Sequence, residues 1–117
     1  MAYRIERALY TGTDVAAGTY YGPATDAWDF DQNRFVAVLS AARKTGAGAL
    51  DAKLQVSGDR GTTWVDYPSG SFTQITTATG SQAIKIDPAG SLVRAVVTVG
   101  ATTTFDISLT VSGRGDN

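Results

Sequence analysis

The chain has 117 residues, a formal net charge of −1, and neither cysteine nor histidine. This length suits one domain with a hydrophobic core, whose stability must come from packing or assembly because disulfides are absent. The lack of histidine removes the usual general base and the commonest metal ligand, and with them a Ser–His–Asp triad. The 10 basic and 11 acidic residues are scattered, so we expect no nucleic-acid partner.

The first 20 residues carry scattered charges and no apolar stretch, which predicts the absence of a signal peptide. No apolar run approaches the length of a membrane span. We therefore expect a protein that is made and folded in a cytoplasm, with no membrane partner.

Residues 1–33 are predicted to form an N-terminal arm and a loop region. Residues 3–10 alternate well enough for a first strand, at a sheet edge or reaching to a neighbour. Residues 11–22 are glycine-rich and fit a loop with a short β-like piece, and 23–33 are turn-rich and acidic. Aromatic side chains here could pack beneath the loop or form an interface hot spot. The candidate interface residues are Tyr3, Tyr20, Tyr21, Trp28 and Phe30.

Residues 34–44 fit either a strand or a helix. Residues 35–39 form a continuous apolar run, as in a strand buried on both faces. Residues 41–44 are good helix formers, which Asp31 could cap and Gly46 could end. We predict a strand, because every neighbouring segment has a β pattern.

The clearest strand pattern lies at Leu50–Ser57, where apolar residues at 50, 52, 54 and 56 alternate with polar ones. Turn-type residues and a β-favouring run at 62–67 follow, and together they predict a β-hairpin. The spacing Ser-x-Asp-x-Gly-x-Thr-Trp resembles the Asp-box motif. All of its positions match, at Ser57, Asp59, Gly61, Thr63 and Trp64.

The residues of this motif have a structural role, which is to stabilise the turn. An aspartate at a hairpin tip can accept hydrogen bonds from backbone N–H groups two or three residues on. The glycine permits a positive φ, and the tryptophan covers the turn. In families with the Asp-box, such as sialidases, the motif repeats around a β-propeller, away from the catalytic residues. We therefore interpret it as a structural hairpin and rank sugar binding behind that.

Four further strands are predicted, at 71–76, 82–87, 92–99 and 105–111. The third is apolar along one whole face and mixed on the other, which suits a central strand; the last alternates, with one wet face. Residues 113–117 are predicted to be a flexible tail. The Arg114-Gly115-Asp116 tripeptide within it matches the integrin-recognition sequence, but we interpret it as part of a solvated tail.

About eight short strands at spacings near 10 residues, without a required helix, predict an all-β fold. We expect residues 1–117 to form a single-domain β-sandwich or jelly roll of antiparallel strands.

The acidic residues suggest two kinds of chemistry, and we predict neither. Asp29-x-Asp31-x-Asn33, with Asp26 nearby, matches the opening ligands of a calcium loop. An EF-hand is excluded, because residue 34 is arginine instead of glycine and residue 40 is serine instead of glutamate. A looser Ca²⁺ site stays open as an alternative to solvated turn residues.

Paired carboxylates such as Asp59 and Asp66, or Asp29 and Asp31, could in principle hydrolyse glycosides. Nothing in the sequence marks either pair as buried or perturbed. We therefore expect no catalytic residue, no metal, no cofactor and no enzymatic activity.

The chain, which has no cysteine and no histidine, contains three segments that resemble a known class of proteins. They are LDAKLQVSGDRGTTW at 50–64, FTQIT at 72–76 and SLVRAVVTV at 91–99. They resemble the small β-sandwich structural proteins of tailed-bacteriophage virions, especially capsid decoration (cement) proteins, over about residues 49–111. The resemblance implies a protein made in the host cytoplasm that binds the major capsid protein on the virion exterior. It also implies a homo-oligomer, with a trimer favoured, that stabilises the capsid.

Residues through Lys44 match nothing in that family. We assign the contacts to edge strands and the N-terminal arm, since an unpaired edge readily extends a partner's sheet. Two alternatives stay open: a tail- or fibre-associated virion protein, and a carbohydrate-binding β-sandwich module.

Overall fold

The computed structural model describes residues 2–26, 35–86 and 92–116. In these ranges the chain forms nine strands and no helix, which confirms the all-β prediction. The strands are β1 (Ala2–Val15), β2 (Gly18–Tyr21), β3 (Thr25–Asp26), β4 (Phe35–Thr45), β5 (Leu50–Ser57), β6 (Val65–Ser71), β7 (Thr79–Ile86), β8 (Leu92–Val99) and β9 (Thr104–Asp116). The segment that fitted both helix and strand is thus β4, as predicted. None of the described segments is a helix of the length and apolar character that a membrane crossing requires.

The strands form two antiparallel sheets. Sheet A has the order β1-β9-β4-β7, and sheet B has the order β2-β8-β5-β6. The short β3 follows β2 along the same edge of β8. The chain passes repeatedly from one sheet to the other, so its eight longer strands have the arrangement of a jelly roll. The predicted sandwich is confirmed, with β3 as a ninth strand.

The core lies between the sheets and is built from the alternating residues of their inner strands. In β9, Phe105, Leu109 and Val111 are fully buried, as the alternation predicts. In β8, Val97 is fully buried, and its position at the centre of sheet B confirms the prediction of a central strand. Burial of each such side chain contributes about 1.5–3 kcal/mol to the stability of the folded state.

The end of β5 departs from the predicted alternation. Val56 is only partly buried, whereas Ser57 is fully buried. The reason is the turn that follows: it folds over Ser57, whose hydroxyl bonds to groups in that turn.

The two ends of the described chain pair with each other. β1 and β9 are antiparallel neighbours from Ala2 opposite Asp116 to Val15 opposite Phe105. Residues 11–15, predicted as loop, and residues 113–116, predicted as a flexible tail with the Arg-Gly-Asp tripeptide, are therefore strand. Each segment supplies the hydrogen-bond partners that the other would lack alone. The pairing has two register shifts, between Ala8 and Tyr10 and between Gly12 and Val15. The second accommodates Asp14, whose φ is 51°.

The predicted strand at 71–76 is wrong. Phe72 and Ile75 are buried, which gives this segment a strand-like pattern. Its backbone forms an isolated bridge, in which Ile75 and Leu50 exchange two hydrogen bonds of 2.9 Å, and one further hydrogen bond of 3.0 Å from the Phe72 N–H to the Ala52 carbonyl. The second hairpin strand starts at Val65, later than predicted, and β7 starts at Thr79, earlier than predicted.

Candidate binding surface

The turn between β5 and β6 is held by hydrogen bonds from two side chains. Ser57 Oγ accepts the backbone N–H of Gly61 at 2.8 Å and donates to Asp59 Oδ1 at 2.8 Å. The same carboxylate oxygen accepts the backbone N–H of Thr63 at 2.8 Å. That donor lies four residues beyond the aspartate, further than the sequence predicts. Side-chain oxygens thus replace the ladder bonds that the turn lacks.

The turn keeps its aspartate ionised and uses left-handed backbone. The hydrogen bond from the Thr63 backbone, followed by that from the Ser57 side chain, lowers the pKa of Asp59. Arg60 and Gly61 have φ values of 63° and 95°, a region that glycine adopts at least cost. These conformations reverse the chain within a short turn.

Trp64, at the end of this turn, and Tyr21, at the end of β2, both contact Arg94 on β8. The Arg94 Cζ atom lies 4.3 Å from the centroid of the Trp64 ring and 4.5 Å from that of the Tyr21 ring. Both distances lie within the range of cation–π interactions. We call these three side chains the arginine stack. It joins residues from three separate parts of the sequence on the outer face of sheet B.

A line of hydrogen bonds continues from the arginine stack across the sheet. Arg94 Nε donates to Gln55 Oε1 at 2.9 Å, and Gln55 Nε2 donates to Asp66 Oδ1 at 3.0 Å. Lys53 Nζ lies 3.1 Å from the same carboxylate. Because a guanidinium only donates and a carboxylate only accepts, the Gln55 amide has one orientation that satisfies both neighbours. The position of the Arg94 guanidinium is therefore fixed by the rings of Tyr21 and Trp64 and by the hydrogen bond from its Nε atom to Gln55.

Tyr20 and Tyr21, adjacent in β2, have opposite surroundings, as alternation requires. Tyr21 is 57% exposed. Tyr20 packs against the core, with its ring centroid 6.3 Å from that of Tyr10, and its hydroxyl donates to the Ala16 carbonyl at 2.9 Å. Of these two interface candidates, Tyr21 is the one available at the surface.

The other interface candidates fall outside what the structure describes: the side chain of Tyr3 and all of Trp28 and Phe30. The acidic segment 29–33 also lies outside. Within the described ranges, no group of three or more acidic side chains is placed to hold a metal ion.

The pair Asp59 and Asp66 lacks the asymmetry that acid–base catalysis uses. Hydrogen bonds from the Gln55 side chain and then from Lys53 lower the pKa of Asp66, and the pKa of Asp59 is lowered as well. A general acid near neutral pH needs a raised pKa. Both carboxylates are instead acceptors for neighbouring donors.

The outer face of sheet A carries a second surface feature, an open trough of about 490 Å³. Its floor is made of short side chains, and Ser40 Oγ lies 3.4 Å from Ser81 Oγ across β4 and β7. The Lys44–Asp106 ion pair, at 3.4 Å, lies near one end. Apart from Asp106, the side chains that line the trough carry no charge.

Arg94 and Gln55 are the residues of this surface that the sequence analysis missed. The available signal was the mixed face of 92–99, where an arginine interrupts apolar residues. Assigning it a role required the register that sets Gln55 opposite Arg94, and register depends on the pairing of distant strands.

No protein-family model and no curated protein matches this sequence. Two chains from structures of infectious bursal disease virus match in fold. The first, from the Gx strain, has a TM-score of 0.58 at 10% identity over 99% of this chain. The second, from the Gt strain, has a TM-score of 0.56 at 11% identity over 97% of this chain. This chain spans about a third of their length, 33% and 30%. At such identities the likeness concerns the fold: it is a jelly-roll sandwich of a kind also present in a virus.

Proposed function

We propose that this chain is a non-enzymatic structural protein of a virus particle, which binds the outside of a tailed-bacteriophage capsid and stabilises it. The observation that carries the proposal is the fold. Its eight longer strands have the arrangement found in viral capsid domains, and the likeness to chains of a virus structure extends over 99% and 97% of this protein. The resemblance of residues 49–111 to decoration proteins supports the outer capsid surface.

The electrostatics of the described residues also support a structural role. Three carboxyl groups have displaced pKa values, those of Asp59, Asp66 and Asp106, and all three are lowered by hydrogen bonds. Such groups are ionised acceptors that hold turns and strands together. With no histidine in the chain, acid–base chemistry near neutral pH has few groups to use.

The sheet edges supply the surfaces for assembly. β1 is an edge of sheet A, 14 residues long, and pairs on one side with β9. Its other side presents N–H and C=O groups that can extend a neighbouring sheet. We assign this edge to contacts between copies, as a homotrimer, and with the major capsid protein. A protein that bridges capsid subunits adds its binding free energy to the stability of the shell.

Sugar binding, the use of this fold in lectins, is less well supported. An aromatic platform for a sugar needs an open ring face. Tyr21 and Trp64 each turn one face to Arg94, so each ring has at most one face left for a sugar.

The test is binding to capsids that lack this protein. Purified protein is mixed with such capsids, sedimented and quantified per particle, and the temperature of genome release is recorded. We expect saturable occupancy at multiples of three and a higher release temperature. Absence of co-sedimentation with capsids, combined with binding to isolated tails or to a glycan array, would reject the capsid assignment in favour of one of the alternatives.

A further inference from the structure

The guanidinium of Arg94 is held in place but only partly used. Its Nε atom donates to Gln55, and its Cζ atom lies over the rings of Tyr21 and Trp64. Within the described part of the chain, neither Nη atom has a hydrogen-bond acceptor. A guanidinium carries five donors in a fixed plane. Several of these donors are therefore left without an acceptor among the residues that the structure describes.

The surroundings decide which group fits. The rings provide an apolar rim around a single positive charge, and Asp66 lies one amide away through Gln55. Lys53, the neighbouring cation, is already paired with Asp66, so a phosphate or another multiply charged anion would meet only the single charge of Arg94. A carboxylate is planar and carries one charge, and it matches the guanidinium with two parallel hydrogen bonds. The site thus suits the side chain of an aspartate or a glutamate.

Four aspartates of a second copy are poor sources for that carboxylate. Among the described aspartates, those at 51, 59, 66 and 106 already accept hydrogen bonds within their own chain. Each would have to give up an internal partner to reach Arg94 of another copy. We assign the donor to a different protein, the partner of the proposed function, and the self-association measurement below would overturn that assignment.

We propose that the arginine stack is a carboxylate-binding site, in which Arg94 receives an aspartate or glutamate of the capsid protein while Tyr21 and Trp64 cover the pair. Naming the capsid protein as the donor rests on the proposed function; the chemistry of the site does not. Tyrosine, tryptophan and arginine are the residue types that dominate binding hot spots. The stacked rings also reduce the freedom that an arginine side chain loses on binding.

The chemistry is tested first without a partner. The ¹⁵N-labelled protein is titrated with N-acetyl-aspartate N-methylamide at constant ionic strength, and the Arg94 Nε–H and Trp64 indole N–H resonances are followed. We expect saturable shifts in both, and at least tenfold weaker binding in Arg94→Lys, which keeps the charge but lacks the fork. The probes for comparison are methyl phosphate and methyl β-glucoside. Absence of a saturable shift, an equal or stronger response to either comparison probe, or an unchanged affinity in Arg94→Lys would overturn the proposal.

The donor is tested on capsids with the same variant and a matched control, Lys85→Arg, a change at an exposed position on sheet A. We expect Arg94→Lys to need at least tenfold more protein for half occupancy, and Lys85→Arg to behave as wild type. If wild type binds capsids and Arg94→Lys binds equally well, the proposed function stands and this inference fails. If wild type does not bind capsids, the proposed function fails, while the titration still decides the chemistry of the site. Self-association that Arg94→Lys abolishes, with unchanged capsid occupancy, would overturn the assignment of the donor.

Discussion

The backbone N–H of Thr63 donates to the Oδ1 atom of Asp59 at 2.8 Å. This contact closes the turn between β5 and β6 with a side chain in place of a strand–strand bond. Ser57 also stabilises this turn, because its buried hydroxyl donates to the same carboxylate and accepts a hydrogen bond from the Gly61 N–H. The position of Trp64, and with it the arginine stack, depends on this turn.

Ser57→Ala is expected to lower the free energy of unfolding by about 1–3 kcal/mol, because it leaves buried polar groups without their partner. Urea unfolding followed by tryptophan fluorescence measures the loss. Ser71→Ala is the control: this serine is exposed at the end of β6, and its removal should change stability by less than about 0.5 kcal/mol. Equal losses in the two variants would show that the hydroxyl of Ser57 is not structural.

Gly61→Ala is expected to destabilise the hairpin through the backbone alone. The φ of Gly61 is 95°, yet a new Cβ would find room, 3.4 Å from Leu92 Cδ1. The cost should therefore be that of a strained backbone, about 1–3 kcal/mol. Gly58→Ala, three residues earlier, has nothing within 4 Å of its new Cβ, and it should be neutral or stabilise by up to about 1 kcal/mol. The same thermal shift in both variants would contradict this explanation.

The strands in which apolar and polar residues alternate could be predicted from the sequence, because burial of one face of a strand requires an apolar residue at every second position. Leu92–Val99 and the core of β9 are of this kind. The polar end of β9 carries no such pattern. It becomes strand because β1 lies beside it, and that pairing joins Ala2 to Asp116 across almost the whole chain.

The candidate site likewise has a part that could be predicted from the sequence and a part that could not. The residues of the turn are local in sequence, so their spacing pointed to Ser57, Asp59 and Gly61 directly. The arginine stack is not local: Tyr21, Trp64 and Arg94 meet only once three strands have found their register. Residue type alone gave Tyr21 as a candidate, but its partner could not be identified without the fold.

Stability is expected to fall in acid and to stay level between about pH 5 and 8. The chain has no histidine, so no side chain with an ordinary pKa titrates in that range. The folded-state pKa values of Asp59, Asp66 and Asp106 are depressed below their usual value of 3.8. Their contribution to the free energy of unfolding is therefore fully present above the unfolded-state pKa. It is lost as the pH falls through the lower folded-state pKa values.

Urea midpoints measured from pH 7 to pH 2 test this dependence. In Asp106→Asn the side chain can still accept the Asp14 N–H, which is now 2.9 Å from the carboxylate, but it no longer titrates or pairs with Lys44. That variant should lose less stability than wild type between pH 5 and pH 2. A midpoint that is the same at pH 6 and pH 2.5 in wild type would refute the role of these carboxylates.

Gly22→Ala is expected to be the most disruptive single-methyl change in the molecule's N-terminal part. Gly22 lies between β2 and β3, and its N–H donates to the Ala95 carbonyl at 2.9 Å. A Cβ on Gly22 would lie 1.7 Å from the backbone oxygen of Leu9 in the opposite sheet. Because backbone cannot rotate away as a side chain can, the two sheets must separate locally, at a cost of at least about 2 kcal/mol.

Thermal unfolding of Gly22→Ala, with Gly58→Ala as the reference for adding a methyl group where space exists, measures that cost. We expect a loss of several degrees in melting temperature for Gly22→Ala only. Because Gly22 follows Tyr21 directly, the shift should also disturb the contact between Tyr21 and Arg94. A Gly22→Ala protein as stable as wild type would mean that the sheets do not approach each other this closely at Leu9.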